Sequence, residues 1–185
     1  MATNRAHRDT KEVIEHFMRG NPEGAVTLLI GSIDKYLNNE IEITIDQDPP
    51  QTSLLFMGVH AAALTISEVL FRKKGKEGYK QFLKEFIDGK PKHHKFSTIT
   101  SELHIWRNTL VHGWLSKHGI NIEYEYDMPK GFEKRRHDLY INPRVYLELY
   151  LQAFQNSGRI WEYIKNMSGE DLNKAQKIII QKFLR

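Results

Sequence analysis

The chain has 185 residues, 40% of them hydrophobic and 27% charged, with a net charge of +4 and no cysteine. That length suits one domain of ordinary size, and the apolar share is enough for a packed core and too high for a disordered chain. The absence of cysteine excludes a disulfide framework and any thiolate metal site, and it fits a reducing cytoplasm.

The first residues, MATNRAHRDTKE, are polar and charged with no apolar stretch, so no secretory leader is expected. A short helix is predicted over 9–19, with Val13, Ile14, Phe17 and Met18 on one face and Gly20 ending it. Asn21-Pro22 has the form of an N-cap followed by proline at the first helical position. The helix it opens runs to about Asn38, with Ala25, Leu28, Leu29, Ile33 and Leu37 at helical spacing. Residues 41–45 alternate apolar and polar, which suits a short strand or an extended connector, and Asp46-Gln47-Asp48-Pro49-Pro50 is a break.

Residues 53–73 are apolar nearly all round and read as the central helix of a bundle. The longest apolar run, Leu54 to Ile66, has 13 residues and contains His60. A membrane span needs about 20, so a core helix and no membrane partner are expected. His60 is read as a core histidine with its hydrogen bonds satisfied. A helix over 77–87 turns Tyr79, Phe82, Leu83, Phe86 and Ile87 inward, and Gly89-Lys90-Pro91 breaks the chain again. The next helix is predicted over 98–116. From Gly119 the period changes: Ile122, Tyr124 and Tyr126 alternate with polar residues as in a strand, and 139–141 can return as the second strand of a hairpin. Asn142-Pro143 repeats the cap-and-proline pattern and opens a helix to about Asn166. Ser168-Gly169-Glu170-Asp171 has the form of a capping box for a last amphipathic helix. The expectation is a single all-α domain over 1–185, an antiparallel helical bundle with one inserted β-hairpin at 119–141 and a C-terminal helix at 168–185.

The charge is uneven. Between Arg72 and Lys95 stand nine Lys or Arg against Glu77, Glu85 and Asp88, a local +6 that exceeds the whole chain's total. A concentrated basic stripe is the electrostatic footprint of a phosphate-backbone binder, and Arg72, Lys73, Lys74, Lys76 and Lys95 are its candidate RNA-binding residues. The plainer reading is a solvated helix face with basic loops. Lys134-Arg135-Arg136-His137 is a second basic cluster that either touches nucleic acid or solubilises a turn. His93 and His94 are adjacent and read as part of the basic loop. Tyr124, Tyr126, Tyr140, Tyr146 and Tyr150 read as packing. Gly31-Ser32 followed by Asp46 and Asp48 is similar to a nucleotidyltransferase pattern, but the first pair lies within an apolar-periodic helix and the second precedes a Pro-Pro break.

The chemistry concentrates in Arg107-Asn108-Thr109-Leu110-Val111-His112. Arginine carries a permanent charge on a planar donor fork that suits phosphate, and histidine exchanges a proton near neutral pH. With Leu103 as reference, Ile99, Trp106, Leu110 and Trp114 form the core stripe of this helix at about 100° per residue. Asn108 and His112 lie about 140° and 180° away, beside Ile105, and Arg107 flanks the core stripe at about 40°. The plain alternative is a solvated face with Arg107 paired to Glu102 or Glu68.

Arg107-Asn108-x-x-x-His112 near the end of a helix resembles the signature of the HEPN family. The specific match covers six residues, with Asn108 in the family's polar slot. The resemblance implies a four- or five-helix bundle that dimerises through its motif helices. It also implies a metal-independent endoribonuclease in toxin–antitoxin or phage-defence systems, cytoplasmic, with no cofactor. Its partners would be RNA and a second copy of the chain, with a separate antitoxin such as a nucleotidyltransferase. In that reading His112 is general base or acid, Arg107 stabilises phosphoryl charge and Asn108 orients His112 or holds a phosphate oxygen. The rival is a non-catalytic HEPN-like module that binds RNA or a nucleotide, or regulates a partner, without turnover.

Overall fold

A computed structural model describes residues 12–112 and 121–184. Its order is α1 (12–20), α2 (Pro22–Ser32), a π-helical segment Ile33–Asn38, α3 (Asn39–Ile45), α4 (Thr52–Phe71) and α5 (Gly75–Phe82). A second π-helical segment, Leu83–Ile87, and 3-10 turns at Lys92–His94 and Phe96–Ile99 lead into α6 (Thr100–His112). Strands β1 (Asn121–Tyr124), β2 (Phe132–Arg135) and β3 (Asp138–Ile141) follow, then α7 (Pro143–Phe154), α8 (Arg159–Lys165) and α9 (Gly169–Phe183). The protein is mainly helical with one small sheet.

α4 is the central element. It packs against α5, α3, α9 and α6, and Leu55, Val59, Ala63, Ile66 and Val69 along it are fully buried. Among the described residues it is the one helix long and apolar enough to cross a membrane; here just over half of that apolar window is buried against the other helices. At Gly78 α5 lies close to α4 and to the turn between them: a Cβ there would lie 2.5 Å from the Lys73 carbonyl of the turn and 3.1 Å from the Ser67 Cβ of α4. The Ser67 hydroxyl at the crossing donates to Ala63 O and Gly78 O.

Three sequence expectations need correction. The 41–45 stretch is helical, continuing α2 through the π-helical segment. Only Ile41 and Ile45, one helical turn apart, are buried, and Ile43 is exposed, so the alternation in the letters is not the alternation of burial. Ile41 sits against Gly58 of α4, where a Cβ would meet it at 2.8 Å. The helix expected from 142 to 166 is two helices, interrupted at 155–158, where the Gly158 position would bring a Cβ within 2.4 Å of Ala153 O. The single hairpin is a three-stranded sheet ordered β1-β3-β2, and the expected partners β1 and β3 run parallel, Ile122 opposite Leu139 and Tyr124 opposite Ile141. The antiparallel partner of β3 is β2, in the stretch between the two expected strands; Phe132 lies opposite Ile141 and Arg135 opposite Asp138. The two-residue connection between them places Arg136 in the left-handed region, φ 54°.

Ile122, Leu139 and Ile141 turn their side chains to the core, and Phe132 on the same face packs on Phe96. The sheet is fastened to the helices by polar ties: Trp106 Nε1 donates to Tyr124 Oη at 3.0 Å, Lys134 pairs with Glu102 of α6, and Thr52 hydrogen-bonds Tyr126. Asn142 joins the sheet to α7. Its side-chain oxygen accepts from Arg144 N and Val145 N, and its amide donates to Tyr126 O and Met128 O. Of the tyrosines read as packing, Tyr146 and Tyr150 are fully buried and Tyr124 and Tyr126 pack partly buried on the core, whereas Tyr140 lies under the Arg135 guanidinium at 4.3 Å.

Candidate functional site

The 3-10 turn Phe96–Ile99 delivers the chain into α6, with Thr100 Oγ1 donating back to Ser97 O. Ile99, Leu103 and Leu110 are buried, and Trp106 is partly buried against the core, which is the stripe predicted from the helical period. On the remaining surface His104, Ile105, Arg107 and Asn108 are half-buried. His112 closes the described part of α6; its side chain, and residues 113–120 with Trp114, Ser116 and Gly119, lie outside the described residues.

Arg107 donates from a terminal guanidinium nitrogen to Asn108 Oδ1 at 3.0 Å. Successive helical side chains diverge by about 100°, so this bond requires the long arginine to bend around the helix onto the Asn108 face. The carboxylates that would make Arg107 merely structural are engaged elsewhere. Glu102 pairs with Lys134 at 2.5 Å, and Glu68 pairs with Lys74 at 3.1 Å and with Lys182. Among the described residues Arg107 has no acidic partner, and a neutral amide leaves its charge uncompensated.

A second histidine joins this face from the same helix. His104 lies one turn before Asn108, and its ring centroid is 5.2 Å from that of His60 on α4. His60 is core, as expected, but not satisfied: it is 1% exposed and neither ring nitrogen has a partner among the described residues. It packs on Tyr79 at 4.1 Å between ring centroids, and Tyr79 shares a 2.8 Å hydrogen bond with Tyr146. Burial, then the neighbouring His104 and Arg107, bring the His60 pKa down to about 3. His104 is also lowered, first by burial and then by Arg107 and Lys76. Both effects disfavour a charged imidazole. His104, missed in the sequence, was legible there as the first member of the His104-x-x-x-Asn108-x-x-x-His112 spacing, which puts all three on one helical face.

The basic candidates separate in space. Arg72, in a left-handed cap conformation, reaches α9 and pairs with Asp171 at 3.0 Å; Lys74 pairs with Glu68; and Lys73 donates to Gln81. Lys76 stands near His104. Lys95 is exposed at the 3-10 turn, where its carbonyl accepts from Thr98. Of the second basic cluster, Lys134 is tied to Glu102 and Arg135 to Glu125 and Glu133. Ser32, from the nucleotidyltransferase-like pattern, donates to Leu28 O within its own helix. Among the described residues no three His, Asp or Glu side chains gather where a metal ion could be held.

No family model, curated protein or solved structure matches the chain.

Proposed function

We propose that the protein is a metal-independent endoribonuclease of the HEPN type, acting in toxin–antitoxin or phage defence and working as a homodimer whose motif helices meet. The observation that supports this best is the half-buried Arg107, which is bent onto the Asn108 face and has no carboxylate partner among the described residues. A guanidinium in that state is available to phosphate oxygens.

In the proposed reaction the ribose 2′-oxygen attacks the adjacent phosphorus and the bond to the 5′-oxygen breaks. His112 takes the 2′-hydroxyl proton, or in its protonated form supplies the proton that the leaving 5′-oxygen needs. Arg107 stabilises the charge that builds on the non-bridging oxygens, and Asn108 holds the guanidinium in place. The products are a 2′,3′-cyclic phosphate and a 5′-hydroxyl end. In a two-fold dimer one protomer's His112 would face its partner's motif helix, so one cleft would hold two copies of each residue.

The test is cleavage of a labelled single-stranded RNA by the purified protein. His112→Ala and Arg107→Ala are each expected to slow it by roughly 10²–10⁴-fold. Cleavage is expected to continue in EDTA, and light scattering at high micromolar concentration is expected to give a dimer. Undiminished cleavage by His112→Ala refutes the assignment. Loss of cleavage in EDTA redirects attention to the exposed carboxylates Asp46 and Asp48. RNA binding without cleavage favours the non-catalytic module.

A further inference from the structure

Between α5 and the start of α6 lies an open cavity of about 320 Å³, lined by Lys76, Glu77 and Lys80 on one side and Ser97, Thr98 and Ser101 on the other. Lys76 and Lys80 are one helical turn apart, both are exposed, and neither has an ion-pair partner among the described residues. The groove's hydroxyls differ in what they are bound to. Ser97 is held by Asp88 through its backbone N–H and its hydroxyl, and Thr98 donates to Lys95 O. Ser101 has no hydrogen bond among the described residues. The acidic groups at this groove are Glu77 on its rim and Asp88, which is capped by Ser97.

The groove leads toward the candidate site. Ser101 is one turn before His104, and His104 is one turn before Arg107 and Asn108, all on α6. Burial first, then Arg107 of α6 and Lys76 of α5, lower the His104 pKa, so the fields of the groove lysine and of the site arginine both reach that imidazole. The groove carries Lys76 and Lys80, and Arg107 stands further along the helix that supplies Ser101 to it. None of these three cations has an ion-pair partner among the described residues, unlike Arg72 and Lys74, which belong to the same basic stretch of sequence. A volume of about 320 Å³ is at the small end of ligand pockets and suits about one nucleotide of a single strand, not a duplex.

We propose that this groove is the track along which single-stranded RNA reaches Arg107. Lys80 and Lys76 take successive phosphates through charge-assisted contacts, and the Ser101 hydroxyl hydrogen-bonds the strand between them and the α6 site. The identity of the strand as RNA rests on the ribonuclease reading; the phosphate track itself does not require turnover.

The experiment uses the full chain and a fluorescein-labelled 2′-O-methyl oligouridylate, which lacks the attacking hydroxyl, with anisotropy read from 50 to 200 mM salt. Each single-strand phosphate contact contributes about 0.7 to the slope of log affinity against log salt. Lys76→Gln/Lys80→Gln is therefore expected to flatten that slope by about 1.4 and to weaken binding at least 10-fold at 0.1 M salt. The control Lys165→Gln/Lys177→Gln, on α8 and α9, is expected to bind as wild type. Wild-type affinity and slope in the Lys76/Lys80 variant, an equal loss in the control, or no binding by the wild-type protein each overturns the track. Cleavage of unmodified RNA is followed in parallel. If it proceeds while the Lys76/Lys80 variant binds normally, only the track fails. If the track behaves as stated and no cleavage occurs, only the ribonuclease reading fails.

Discussion

Lowering the pH from 7.5 to 5 will destabilise this protein through His60. In the folded chain burial and neighbouring positive charge bring this imidazole down to about 3, from an ordinary value of 6.5. The folded value lies below the unfolded one, so the unfolded chain takes up the proton first. Stability from the neutral imidazole is fully present above the unfolded value and is lost as the pH falls from 6.5 toward 3. At pH 5 about 97% of unfolded chains carry the proton on His60 and almost no folded ones do, which corresponds to a loss of about 2 kcal/mol relative to pH 7.5. His104, lowered by burial, Arg107 and Lys76, adds to the loss in the same direction. The lowered carboxylates Glu68, Glu133 and Asp171 act mainly below this window. Urea unfolding followed by circular dichroism at the two pH values measures the difference. His60→Leu removes the titrating ring and its two unpartnered nitrogens, so its loss on acidification should be about 2 kcal/mol smaller, with no change in denaturant slope. At pH 7.5 the same variant should be at least as stable as wild type, because a buried polar atom without a partner costs about 1–3 kcal/mol. Equal acid losses in the two proteins would refute the reasoning.

Two further outcomes follow from buried hydrogen bonds. Tyr79→Phe should cost about 1–3 kcal/mol by leaving the Tyr146 hydroxyl with no partner among the described residues, whereas adding Tyr146→Phe should cost little more; additive losses in a double-mutant cycle of chemical denaturation would count against this coupling. Asn142→Ala should cost about 2–3 kcal/mol, since it removes the α7 cap and orphans the Tyr126 and Met128 carbonyls, and a loss under 0.5 kcal/mol by urea unfolding would show that the clasp is not needed.

Much of the helical frame was legible because its signals are local. Asn21, Asn142 and Ser168 each accept a backbone N–H from two or three residues ahead, so cap and helix start are written within four letters. The buried stripe of α6 follows from the helical period, and Arg107 and Asn108 stand out because charged and amide side chains flank that stripe. Local pattern failed where a distant contact set the outcome. Ile41 and Ile45 are buried on one helical face, Ile41 seated against Gly58 of α4, and the alternation of letters between them carries no information about that surface. β1 lies parallel to β3 because the 125–131 segment crosses over before β2 forms and is clasped by Asn142. The His60–His104 pair joins residues from two helices that share no sequence signal. Burial and Arg107 lower the pKa of both, with Lys76 of α5 adding to the effect on His104, and the lysine groove likewise exists only because α5 packs beside α6. Hydrogen bonds within a turn depend on adjacent residues and are encoded there, whereas desolvation and the sum of charges at a point depend on every element packed around it.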